Sequence, residues 1–227
     1  MVPVHPIVIV IIILAIGIFG YLSWQQDKKR REALRLWAKD RGWRLAPLKI
    51  KSMHRDYPAL KVFQKGHSRY AKNIIKGELK GRPVMMMDYR YTVGHGKNRS
   101  THNRGVVVLA CDFPTVPLFI RRENPLDRVG EFFGADDIDF ESSEFSRKFF
   151  VKSADRKWAY DIIHTRTMDY LMKTPSCFTI EFGFGEIAIY QTGWCGTDNY
   201  EKALEMAWDL HELIPDYVVR QMKGESR

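Results

Sequence analysis

The chain is poor in the short signatures that announce chemistry. Its three cysteines, Cys111, Cys177 and Cys195, are widely spaced and odd in number. No Cys-x-x-Cys pair occurs, so neither a zinc site nor a disulfide framework is suggested. Reduced thiols agree with a reducing compartment. Gly-x-Ser-x-Gly is missing, and no cysteine stands in a recognised context with a histidine, so no nucleophile motif is written. Asp-x-Asp-x-Asp-Gly is missing too, so no calcium loop is encoded. There is no Walker A loop: Tyr91 stands where its first glycine belongs, and Asn98 follows Lys97. Gly183-Phe-Gly-Glu186 lies between two strand-like runs, the wrong setting for a dinucleotide fingerprint. Internal repeats and low-complexity stretches are absent. No Lys or Arg occurs in residues 1–6 and no Ala-x-Ala follows the first apolar run, which argues against a cleaved signal peptide.

What is present begins with that apolar run. Residues 7–24 are uncharged and end on Tyr21 and Trp24, with Lys28-Lys29-Arg30-Arg31 following at once. About 18–20 apolar residues suffice to cross a hydrocarbon core as a helix, and aromatic rings favour the headgroup layer. The expectation is therefore a transmembrane anchor over 1–26, a basic juxtamembrane helix over 27–47 and a domain over 48–227. By the positive-inside rule that domain is cytoplasmic and the protein single-pass. A buried core helix is the plainer alternative for the run.

Charge is uneven. Residues 28–104 hold 22 Lys or Arg against 5 Asp or Glu, whereas 105–227 hold 14 against 21. A basic half beside a membrane gains attraction to anionic lipid, so Lys28, Lys29, Arg30, Arg31, Arg35 and Lys39 are the lipid-surface candidates. The acidic half is left for a protein partner. Nucleic acid is an unlikely partner: Tyr89-Arg90-Tyr91 puts both rings on one strand face, and a core face is the commoner reason for that.

Periodicity gives the element types. Leu34, Trp37 and Ala38 share a helical face within 27–43. Strand signals cover 60–64, 74–79, 83–91, 104–111 and 117–121, with a long hairpin over 83–111. A short helix is expected after Asn124-Pro125, ending near Gly134. A strand over 148–152 precedes a long helix over 154–172 with Ser153 as its cap, and a hairpin follows over 177–191. A last helix starts at Thr197 or Asp198 and buries Ala203, Met206, Ala207 and Leu210. The fold class is α+β: a mixed, largely antiparallel sheet with packed helices.

Two clusters could carry chemistry. The loop Gly94-His-Gly-Lys-Asn-Arg-Ser-Thr-His102 offers glycine amides, with His95, Lys97, Arg99, His102 and Arg104 as candidates to hold a phosphate. A solvated hairpin tip is the competing reading, since Gly, Asn and Ser are ordinary turn residues. Asp136, Asp137, Asp139, Glu141 and Glu144 could supply oxygen ligands, but Ile138 and Phe140 alternate with them as on a half-buried edge strand. No metal site and no cofactor is assigned. Met53 and Met85–Met87 are core filling, and His164 and His211 are helix residues, packed or on the surface.

Residues 70–105 contain Gly77-Glu-Leu-Lys-Gly-Arg-Pro83, then Asp88-Tyr-Arg-Tyr-Thr92 and a Gly-Lys-Asn-Arg-x-Thr-His loop. Further on come Asp137-Ile-Asp-Phe-Glu-Ser142, Glu144-Phe145, Phe150-Val151, Ala154-Asp155, Ala159-Tyr160 and Met168. In this order the pieces resemble an uncharacterised bacterial DUF3137-type family of membrane-anchored proteins, over about residues 70–217. The resemblance implies a bacterial inner-membrane protein and no particular catalysis. The expected function is a membrane-tethered binding module. The alternative is a hydrolase or phosphate-ester enzyme using the His95–Arg104 loop.

Overall fold

A computed structural model describes residues 6–123 and 138–225. Helix α1 (Pro6–Asp40) runs unbroken from the apolar stretch into the domain. It stops where Gly42 adopts φ +68 and the Trp43 amide donates back to the Ala38 carbonyl at 2.8 Å, a left-handed glycine closure of the helix end. β1 (Arg44–Ala46), α2 (Met53–Asp56) and α3 (Lys61–Gln64) follow. Then come the long strands β2 (His67–Leu79), β3 (Arg82–Val93) and β4 (Ser100–Ala110), and β5 (Leu118–Arg122). The second half supplies α4 (Ser143–Lys148), β6 (Phe149–Ser153), α5 (Arg156–Ile162), α6 (Thr165–Lys173), β7 (Phe178–Phe182), β8 (Glu186–Thr192), α7 (Thr197–Glu212) and α8 (Asp216–Lys223).

Among the described residues eight strands join one sheet in the order β1-β2-β3-β4-β8-β7-β5-β6, and these strands pair antiparallel throughout. Side chains alternate across a strand, so β3 sends Val84 and Met86 to one face and Met87, Tyr89 and Tyr91 to the other. The first face carries the larger core, with Leu34 and Trp37 of α1, Trp158 of α5, Leu171 of α6 and Tyr200, Ala203 and Leu210 of α7. The second is smaller and closed by Met53, Leu60, Val62 and Phe63 around α2 and α3. The α+β architecture with a largely antiparallel sheet is thus present.

The transmembrane helix is not. Among the described residues no helix is long and apolar enough to cross a membrane. The helix that carries the apolar residues is also a core element: its second half is charged, and Leu34 and Ala38 are buried in the larger core. The single-pass transmembrane anchor expected over 1–26 is therefore not what these residues form.

Smaller corrections have local causes. Residues 61–64 form α3, because Val62 and Phe63 are neighbours on one buried corner rather than opposite faces of a strand. The helix expected over 154–172 divides at Ile163 and His164, where His164 turns extended (φ −80, ψ 175) and heads α6. Its first cap is Asp155, whose side chain accepts from the Trp158 amide, while Ser153 Oγ accepts from the Asp155 amide. Ile138 bonds to Val151 at 3.0 Å, but 138–140 are not a strand. Asp136, Asp137 and the helix expected after Pro125 fall outside the described residues.

Candidate functional site

The exposed part of α1 is the most unusual surface of the molecule. Leu14, Ile16, Ile18, Phe19, Tyr21, Leu22 and Trp24 are all exposed, Phe19 to 76%. Directly C-terminal, Lys28, Lys29, Arg31, Arg35 and Lys39 are exposed as well. Lys28 Nζ lies 5.5 Å from the Trp24 ring. Arg31 pairs with Asp27 at 3.0 Å and Arg35 with Glu32 at 2.7 Å, short-range helix pairs of small energetic weight.

Arg30 is different. It turns inward and donates from both Nη atoms to Asp88 on β3, at 2.6 and 3.1 Å. It also donates to the Cys195 carbonyl at 3.0 Å and to Asp27 at 3.2 Å. Asp88 is fully buried and also accepts from Asn73 at 2.6 Å and from the Tyr200 hydroxyl at 3.3 Å. Trp194 completes the arrangement between two cations, with Lys72 at 4.7 Å and Arg30 at 5.8 Å from its ring. Asn73 reaches Asp88 from a bulge in β2, where the register shifts between Lys72 and Ile75 and Asn73 takes φ +49. A bidentate Arg–carboxylate pair fixes orientation as well as position. This cluster therefore locks α1 onto the sheet. Burial, and then Asp88, hold the Tyr200 hydroxyl well above its ordinary range, so it stays a donor.

The loop candidates do not assemble into one constellation. Gly94 has φ +73, and a 3-10 turn over Gly96–Asn98 forms the tip of the β3–β4 hairpin. His95 stacks on His67 at 4.8 Å between centroids. His102 stacks on Tyr91 at 5.1 Å, and Arg104 donates to the Tyr91 hydroxyl at 3.2 Å and the Asn103 carbonyl at 2.9 Å. Lys97 and Arg99 stand exposed at the tip.

Other reactive groups are committed to structure. Burial pushes the thiols of Cys111 and Cys195 up to about 12, leaving them as thiols. Glu181 is buried, accepts from Tyr190 at 2.6 Å and from the Val62 amide at 3.4 Å, and burial raises its carboxyl to about 7. His164 pairs with the Leu213 carbonyl at 3.0 Å, and His211 packs against Phe113 and Trp208. Among the described residues no group of His, Cys, Asp and Glu is placed to hold a metal ion. A groove of about 590 Å³ lies between α7 and the β2–β3 turn. Its aromatic rings are already faced by the protein's own cations, Lys80 at 4.4 Å from Trp208 and Arg41 at 6.0 Å from Trp43.

Sequence reasoning missed the clamp partners Asp88, Asn73, Trp194 and Tyr200. One signal was there: Asp88 interrupts Met85-Met-Met-Asp-Tyr-Arg-Tyr91, and a lone acid in a buried strand needs a partner.

The molecule is thus an antiparallel α+β domain with a helical arm fused into its core. No family model and no curated protein matches the chain. Among solved structures it is similar to the mycobacterial trehalose monomycolate transport factor A, TtfA, with a TM-score of 0.59 and 14% identity over 82% of this chain and 96% of that one. At that identity the likeness is one of fold.

Proposed function

We propose that this protein is a lipid-surface binding module that serves lipid transport, working at the cytoplasmic face of the bacterial inner membrane. The observation that carries the reading is the α1 arm, where exposed Leu14–Trp24 side chains run directly into exposed Lys28, Lys29, Arg31, Arg35 and Lys39. Apolar residues beside cations suit the boundary between acyl chains and anionic headgroups, and basic residues near such a surface each gain about 1 kcal/mol. The transport assignment draws on the fold shared with TtfA. The acidic half, with 14 Lys or Arg against 21 Asp or Glu over 105–227, is left to a protein partner.

Co-sedimentation of the full chain with phosphatidylglycerol-containing and with neutral vesicles tests this over a salt series. Binding to the anionic vesicles should weaken as salt shortens the screening length from about 10 Å at 0.1 M. Equal recovery with both vesicle types would remove the electrostatic component, and no recovery with either would remove the lipid reading altogether.

A further inference from the structure

The direction in which α1 leaves the domain brings a second cationic feature to the same end. Trp43, just beyond the helix, lies flat on Gly77 of β2. Thirteen positions earlier Arg30 grips Asp88, which is paired with Lys72 in the β2–β3 register. Moving toward its N-terminus, α1 therefore travels from Gly77 towards Lys72, along β2 and away from the Lys80-Gly81 turn. Beyond Asp88 only five residues of β3 remain before the strand ends at Val93, about 17 Å at ~3.3 Å per residue. From Arg30 back to Val8 the helix continues for about 33 Å at ~1.5 Å per residue. The apolar arm thus emerges at the end of the sheet where the β3–β4 hairpin turns.

Beyond Asp88 that hairpin is free of acid. No Asp or Glu occurs between Asp88 and Asp112, nor on the neighbouring stretch between Asp56 and Glu78. Arg69, Arg90, Lys97 and Arg99 are all carried there. The tip is also preformed: Gly94 has φ +73, the Asn98 amide donates to the His95 carbonyl at 3.2 Å, and His67 Nε2 donates to the Gly94 carbonyl at 2.9 Å beside the stacked His95 ring. A shaped tip loses little freedom on contact.

We infer that the β3–β4 hairpin tip, through Lys97 and Arg99, is a second contact with the anionic lipid surface that the α1 arm meets. This rests on the lipid reading above and extends it from one helix to a two-point footprint. The carboxylate-poor hairpin approaches headgroup phosphates, while the arm supplies the apolar contact. With two points engaged the domain holds one orientation on the bilayer.

The test compares the full chain with K97E/R99E and with K76E/K80E, which makes the same charge change on β2 and at the opposite turn. Near-UV circular dichroism and thermal midpoint confirm that each variant is folded. On phosphatidylglycerol-containing vesicles K97E/R99E should lose about thirtyfold or more in partitioning, as expected for two basic residues at the surface, and K76E/K80E should lose less than about threefold. Equal losses for the two pairs, or no loss for K97E/R99E, while the unaltered chain still binds, would overturn the hairpin contact and leave the arm reading standing. Failure of the unaltered chain to bind overturns both.

Discussion

At the scale of single residues the molecule depends on a buried charge that sequence neighbours do not reveal. Asp88 is 0% exposed and, among the described residues, the cation paired with it is Arg30, itself 18% exposed at the side chain. Removing one partner of a buried pair leaves the other uncompensated, at about 3–5 kcal/mol. Arg30→Met should therefore lower stability by that order, read as a shift in the urea midpoint, and D88N added to it should recover part of the loss. A midpoint unchanged by Arg30→Met would show that Asn73 and Tyr200 satisfy Asp88 alone. Glu181 makes a separate pH prediction. Burial raises its folded carboxyl to about 7 from an ordinary 4.5, so the folded state holds the proton more tightly than the unfolded chain. That contribution is complete below about 4.5 and is lost as pH rises through 7. Urea midpoints at pH 5 and pH 8 should differ more for the unaltered chain than for Glu181→Gln, and equal differences would remove Glu181 as the cause.

At the scale of elements, packing depends on close approaches that permit no side chain. A Cβ at Gly77 would overlap the Trp43 ring, and one at Gly105 would overlap Cys195. Gly77→Ala should cost about 1–3 kcal/mol by overpacking and alter the near-UV tryptophan signal, because Trp43 is edge-on to Trp37 at 5.4 Å between centroids. An unchanged signal would mean that the ring does not rest on Gly77. Elements were legible wherever the pattern ran long. The hairpin over 83–111, the hairpin over 177–191 and the buried stripe of α7 follow directly from period-2 and period-3.6 spacing. Short apolar pieces misled: Leu60-Lys-Val-Phe-Gln64 satisfies strand and helix templates equally, and tertiary packing at the α2–α3 corner decided for the helix. The break at Ile163-His164 was missed because the apolar stripe continues across it into α6, and the extended backbone of His164 leaves no mark on that spacing. The clamp was illegible for a plainer reason, since Arg30 lies 58 residues from Asp88 and 165 from Cys195. Of the site, the exposed basic residues of α1 could be read from the charge run, but the inward turn of Arg30 within it could not.

At the scale of the whole molecule the sheet is the stable frame and the arm its exposed limb. β3, β4 and β8 are central and paired on both sides, so their amides should exchange most slowly. Residues 14–26 of α1, exposed apart from one half-buried position, should exchange fastest within that helix and slow on addition of anionic vesicles. Slowing confined to the sheet would place the contact elsewhere. Helix α1 passes unbroken from arm to core. With continuous helix between the exposed apolar end and the sheet, the domain has no swivel. Docked on a bilayer as proposed above, every copy would stand at the same tilt and turn the same flank toward the aqueous side, so a population of them would form an oriented array before any partner arrived.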